Sequence, residues 1–193
     1  MPRLARLIGG AEVVIQCQPE AVSQAQWLFS RLEAMNPLVH GTIVAFGWST
    51  LTLLRDLQSL VVHEPDFDGN AEGNVRPDVT CSLQVQGQML QAARRAGVEP
   101  RFPKFSEFVA VEPGCLEEPK VLLIRSSSRF ANDLGWLVFR GQELRAAPDK
   151  IEVYRLLSLR PALMQALALP NDWLVVFEGD EIVGVQPPQA PRA

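Results

Sequence analysis

The sequence predicts an α+β protein with a largely antiparallel mixed sheet, two longer helices and one short helix, built as one domain or as two packed lobes. Two observations carry this. Short β-branched and aromatic runs alternate irregularly with two stretches of strong helical periodicity, which argues against a doubly wound parallel sheet. Hairpin-type turns, of which Gly179-Asp180 is the clearest, concentrate in the second half. The reading places an N-terminal lobe over residues 1–115, a C-terminal lobe over 116–187 and a tail over 188–193.

Glu12 to Gln18 reads as the first strand, with Val13 and Ile15 on one side and Val14 on the other. Pro19 fits the first turn of a helix in which Ala21, Ala25, Leu28, Leu32 and Met35 recur at helical spacing, widened by Val22 and Phe29. Asn36-Pro37 ends it. Thr42 to Trp48 is a strand extended by Leu51 to Leu54 past a bend at Gly47, and Leu57 to His63 is its return strand. A helix over Ser49 to Val62 also fits, through Leu53, Leu57 and Leu60. Pro65 to Pro77 is a polar loop.

Asp78 is placed to cap a helix running through Ala96, with Gly97 just beyond its end. Phe102, Phe105 and Phe108 read as core anchors. Glu107 to Val111 and Lys120 to Arg125 read as strands joined around Pro113-Gly114. Leu134 to Phe139 is apolar on both sides and belongs in the middle of a sheet. Lys150 to Leu157 reads as extended, Pro161 opens a short helix, and Asp172 to Glu178 pairs with Glu181 to Val185. Phe46-Gly47-Trp48 and Leu134-Gly135-Trp136 echo one another; coincidence explains the pair better than duplication.

Composition narrows the function classes. A net charge of −4 and an ordinary apolar fraction of 47% disfavour a nucleic-acid binder, which needs a basic footprint. No run reaches the ~20 apolar residues that span a bilayer, and the first ten residues do not form a secretory signal, so residence in the cytoplasm is expected. Cys17, Cys81 and Cys115 lack metal or redox spacing and read as packed thiols. Asp66, Asp68, Asn70 and Glu72 alternate like a calcium loop, but Ala71 stands where such a loop needs Gly and Pro77 where it needs Glu. No zinc spacing, phosphate loop or nucleophile signature is present, so neither cofactor nor metal is expected. Arg94, Arg95, Arg101 and Lys104 form a basic cluster that a helix C-terminus explains. Trp27, Trp48, Trp136 and Trp173 sit in apolar runs and read as core.

A strand containing Arg125, then Asp133-Leu134-Gly135-Trp136, then Gly141-Gln142-Glu143 resembles the bacterial immunity-protein family numbered thirty-three. Tyr154 to Pro161 and a strand ending in Phe177-Glu178 continue the likeness, which spans roughly residues 120 to 179. The chain departs from the family after Glu143, where Leu144-Arg145-Ala146-Ala147 replaces further acidic residues. The resemblance implies a non-enzymatic protein that binds and occludes a cognate toxin. In it Arg125, Asp133, Gly135, Trp136, Gly141 and Glu143 are structural.

Glu64, Asp66, Asp68, Glu72 and Asp78 are the expected toxin-facing carboxylates, suited to the basic cleft of a nuclease. Two other readings stand beside this one: a small hydrolase with a site around His63, and a ligand-sensing module with a deep apolar pocket.

Overall fold

The computed structural model of the chain describes residues 1–35, 37–126, 133–141 and 144–188, with Asp133 by its backbone alone. It is an α+β fold with two six-stranded sheets. The chain divides into two compact units, Met1–Gly87 and Gln88–Ala193.

In the first unit β1 (Arg3–Ile8) and β2 (Ala11–Gln16) form a hairpin, and α1 (Val22–Glu33) follows a 3-10 turn at Pro19–Ala21. Then come β3 (Ile43–Phe46), β4 (Ser49–Asp56), β5 (Ser59–Pro65) and the short β6 (Val75–Arg76). The strand order is β1-β2-β5-β4-β3 with β6 on β5, and β2 runs parallel to β5 while the other pairs are antiparallel. A βαβ connection through α1 is what lets β2 and β5 lie parallel. Ala25, Leu28, Phe29 and Leu32 of α1 bury against Val13, Ile15, Val44, Phe46, Leu53 and Val62 of the sheet. Met35, expected on that stripe, lies past the helix end and is exposed.

Two local readings change here. β1 was not expected, because Arg3 and Arg6 hide the alternation of Leu4 and Ile8. Gly47 is no bend within one strand: with φ of 56° it turns the chain back, so that β3 and β4 pair Phe46 with Ser49. The second hairpin turns at Leu57, also at positive φ, and leaves that side chain almost wholly exposed. Ser49 to Val62 is therefore strand and turn, not helix.

Helix α2 (Thr80–Ala96) carries the boundary between the units. Asp78 Oδ1 accepts from the Thr80 N–H at 3.0 Å, satisfying an orphan donor of the first turn. At the other end Gly97 adopts φ of 69°, with Gly97 N–H bonded to Arg94 O and Val98 N–H to Ala93 O, the Schellman pattern.

The second sheet has the order β10-β7-β9-β8-β11-β12. Its strands are β7 (Phe108–Val111), β8 (Lys120–Arg125), β9 (Asp133–Phe139), β10 (Asp149–Glu152), β11 (Leu174–Glu178) and β12 (Glu181–Gln186). Although β7 and β8 are consecutive, β9 inserts between them, parallel to β7 and antiparallel to β8. Beyond β10, where an extended run was expected, Val153–Arg155 forms a 3-10 turn, α3 spans Leu156–Leu159, and a second 3-10 stretch covers Pro161–Ala166. Phe102, Phe105 and Phe108, expected as core anchors, are only half-buried.

Register puts Val109, Val111, Val121, Leu123, Trp136, Val138, Val175 and Phe177 on one buried face. Leu163, Met164 and Leu167 from the 3-10 region are buried as well. Among the described residues no helix is long and apolar enough to cross a membrane.

Candidate functional site

The Asp-x-Gly-Trp stretch is a frame, not an open site. β9 spans five residues, Asp133 to Leu137, where β7 spans only three, Phe108 to Ala110, and Gly135 absorbs the irregularity at φ of 74°. Trp136 is 0% exposed and its Nε1 donates to Leu167 O at 3.1 Å. Its cross-strand partner Arg125 is 8% exposed, and the guanidinium donates to Leu134 O, Leu169 O and Arg101 O. Burial lowers its pKa from the ordinary arginine value. The cation lies 5.9 Å from the Trp136 ring. Arg125 and Trp136 together hold the carbonyls that end the 3-10 segment. Gly141 follows β9, and Glu143 and the Asp133 side chain lie outside the described residues.

Two further charged residues of this kind were not singled out from sequence. Arg160, 7% exposed, donates to Leu116 O, Glu118 O and Gly179 O, joining three loops. Glu112 is fully buried and accepts from the backbone N–H groups of Arg140 and Arg145, with the Arg140 guanidinium beside it. Those donors hold its carboxyl below the ordinary glutamate range. The arginine of an Arg-Pro pair and a lone glutamate carry no local signal, because the partners lie 19 to 44 residues away.

The five carboxylates expected to face a partner separate into different roles. Glu64 is 0% exposed: it takes the Ser82 N–H at 2.7 Å and pairs with Arg76 at 3.0 Å. Burial, partly offset by these bonds, pushes its carboxyl up to about 7. It presents no surface, because it continues the inward positions of β5. Asp78 caps α2 and is half-buried. Asp66 is half-buried, Asp68 is exposed and paired with Arg76, and Glu72 is exposed. The surface-facing set is thus Asp66, Asp68 and Glu72, with Arg76 as the cation at its base.

His63 is half-buried and its Nδ1–H donates to Val61 O on its own strand at 3.0 Å. The nearby Cys81 thiol is pushed up to about 12 by burial, which keeps it protonated. Cys17, Cys81 and Cys115 are free thiols, the first and last of them buried. Among the described residues no group of three His, Cys, Asp or Glu side chains could hold a metal ion. Among the described residues of the second unit, one groove, of about 190 Å³, is lined by α2, Leu169 and β12, and another, of about 290 Å³, lies beside β10.

These features define an α+β protein whose second unit is a mixed-sheet domain stapled by buried arginines. Residues 88–186 match the family model of the Imm33-like domain, and the chain belongs to that family. The match takes in about half the chain, wider than the 120–179 stretch that carries the resemblance in sequence, and nearly coincides with the second compact unit. The acidic loop after β5 lies outside it. No curated protein and no solved structure matches the chain.

Proposed function

We propose that the protein is a cytoplasmic immunity protein that binds a cognate bacterial toxin and blocks it by occluding its active site. The observation that carries this is the Imm33-like domain over residues 88–186. Occlusion needs a preformed surface and no chemistry of its own, in keeping with a domain whose interior charges are held by its own backbone.

The charge distribution supports a basic toxin, and a nuclease is the reading we favour. Met1–Gly87 carries nine acidic against five basic residues, whereas Gln88–Ala193 carries thirteen of each, so the whole excess of −4 lies in the first unit. Asp66, Asp68 and Glu72 stand on its most acidic loop. A nuclease offers a basic cleft for phosphates, and such carboxylates raise the rate of encounter with it.

The test is co-expression with the toxin encoded by a neighbouring gene: cells survive and the two proteins copurify. Asp66→Lys, Asp68→Lys and Glu72→Lys together slow association and flatten its salt dependence, with the fold intact. A toxin that kills regardless of this chain, and does not bind it, refutes the reading.

A further inference from the structure

We propose that the groove beside β10 is the anchor site for the toxin, taking an apolar side chain flanked by a lysine or arginine. This rests on the immunity reading and names the surface and chemistry through which it acts. The groove has a volume of about 290 Å³ and lies wholly within the Imm33-like domain. That is just below the ~300–1,000 Å³ of small-molecule pockets, so it suits one or two side chains of a partner better than a whole cofactor.

Its wall is apolar: Val111, Leu116, Ile151 and Leu159 line it. Leu159, the last residue of α3, is 53% exposed, and Ile151 sits on β10, the terminal strand of the second sheet. The fold therefore leaves apolar surface in water at a concave place, where a buried anchor contributes most to association.

The charges single out the occupant. Glu117 and Asp149, both exposed, line the groove, and among the described residues no cation does. Glu112 also lines it, but its carboxylate is turned to Arg140 and the Arg145 N–H and is neutralised within the fold. Arg140 and Arg160, which donate to Pro113 O and Leu116 O, are held by carbonyls and carboxylates of the fold. Two exposed carboxylates around an apolar floor complement an apolar side chain next to a cation, and aromatic residues with arginine are the types enriched at interface hot spots. The groove between α2 and β12 lacks this complementarity, since Arg95 lines it and no carboxylate does among the described residues.

The experiment measures binding of the full-length chain to the purified toxin of the neighbouring gene by titration calorimetry, with co-expression survival beside it. Leu159→Glu and the double variant Glu117→Lys/Asp149→Lys are compared with Val183→Glu, which alters an equally exposed apolar residue on β12 outside the groove. All three changes are at exposed positions, and melting curves confirm that each variant folds. The expected result is at least tenfold weaker binding for the two groove variants, with loss of protection, and unchanged binding for Val183→Glu. Groove variants that bind as the unaltered chain does, or a Val183→Glu variant that loses as much as they do, overturn the groove as anchor while the immunity reading stands. An unaltered chain that neither binds nor protects overturns both.

Discussion

At Trp136 three things meet: a fully buried indole, a central strand and the Leu167 carbonyl. Trp136→Ala removes the side chain from a close-packed face and leaves that carbonyl without its donor, so it is expected to cost about 3–5 kcal/mol. Trp136→Phe keeps most of the volume and loses the bond, for about 1–3 kcal/mol. Urea unfolding of both variants separates packing from hydrogen bonding: equal losses would mean that the packed volume contributes nothing, and an unaffected Trp136→Phe would mean that the Leu167 bond contributes nothing.

Glu64 gives a pH signature. Its folded carboxyl titrates near 7, raised by burial from the ordinary value of 4.5. A raised carboxyl pKa means that the folded state holds the proton more tightly than the unfolded one. The associated stability is complete below about pH 4.3 and is lost as pH climbs through about 7, a difference of about 3 kcal/mol. Glu64→Gln, which cannot ionise, removes this decline. Stability measured from pH 4 to 8 is expected to fall more steeply in the unaltered protein than in Glu64→Gln; parallel curves would show that the Arg76 pair keeps the carboxylate ionised throughout.

Elements follow local rules at their ends and distant ones in their pairing. Asp78 and Gly97 bracket α2 as their residue types predict, one supplying an oxygen to Thr80 and the other a positive φ. Asp78→Ala is expected to cost about 1 kcal/mol of stability. Gly97→Ala costs a similar ~1 kcal/mol from backbone strain alone, since an added Cβ would meet nothing within 4 Å. Thermal unfolding of the two variants checks both, and an unaffected melting temperature for Gly97→Ala would mean that the helix end relaxes freely.

The α1 stripe, the Gly179-Asp180 hairpin and the strand around Trp136 were legible because each is written in adjacent residues. The insertion of β9 between β7 and β8 was not, because strand order is decided by which apolar faces meet and not by chain order. The two Gly-Trp pairs show the same limit. Both glycines take positive φ and both indoles donate to a backbone carbonyl, Ser82 O for Trp48 and Leu167 O for Trp136. Yet one pair makes a hairpin turn and the other lies within a strand.

At the scale of the whole molecule, the fold class and the immunity family were readable from short motifs, and the partner surface much less so. Asp68 and Glu72 were recognisable as surface carboxylates because they sit among loop formers. Glu64, two residues before that run, looked the same in sequence and proved to be an interior group, since only pairing with β4 and β6 reveals which way it points. The β10 groove had no sequence signal, because Val111, Leu116, Ile151 and Leu159 converge from four separate elements. Metal chemistry can be tested on the intact chain. Chelation by EDTA is expected to leave the melting temperature unchanged, and elemental analysis of the purified protein to find no stoichiometric zinc or calcium.

The carbonyl-bound arginines also bear on how the chain is made. Arg125 waits for Leu169, and Arg160 for Gly179, before its guanidinium has all its acceptors. Every strand of the first unit, by contrast, finds its partners within residues 3–76. At a synthesis rate of roughly 5–20 residues per second, about ten seconds separate emergence of the first unit from emergence of the last acceptor. Once Arg125 and Arg160 have been made in turn, the half-made domain carries each cation before its last acceptor exists, Leu169 O for the first and Gly179 O for the second. A ribosome stalled before Gly179 therefore holds a finished N-terminal sheet and a C-terminal domain in which Arg160 still lacks one of its three carbonyl acceptors.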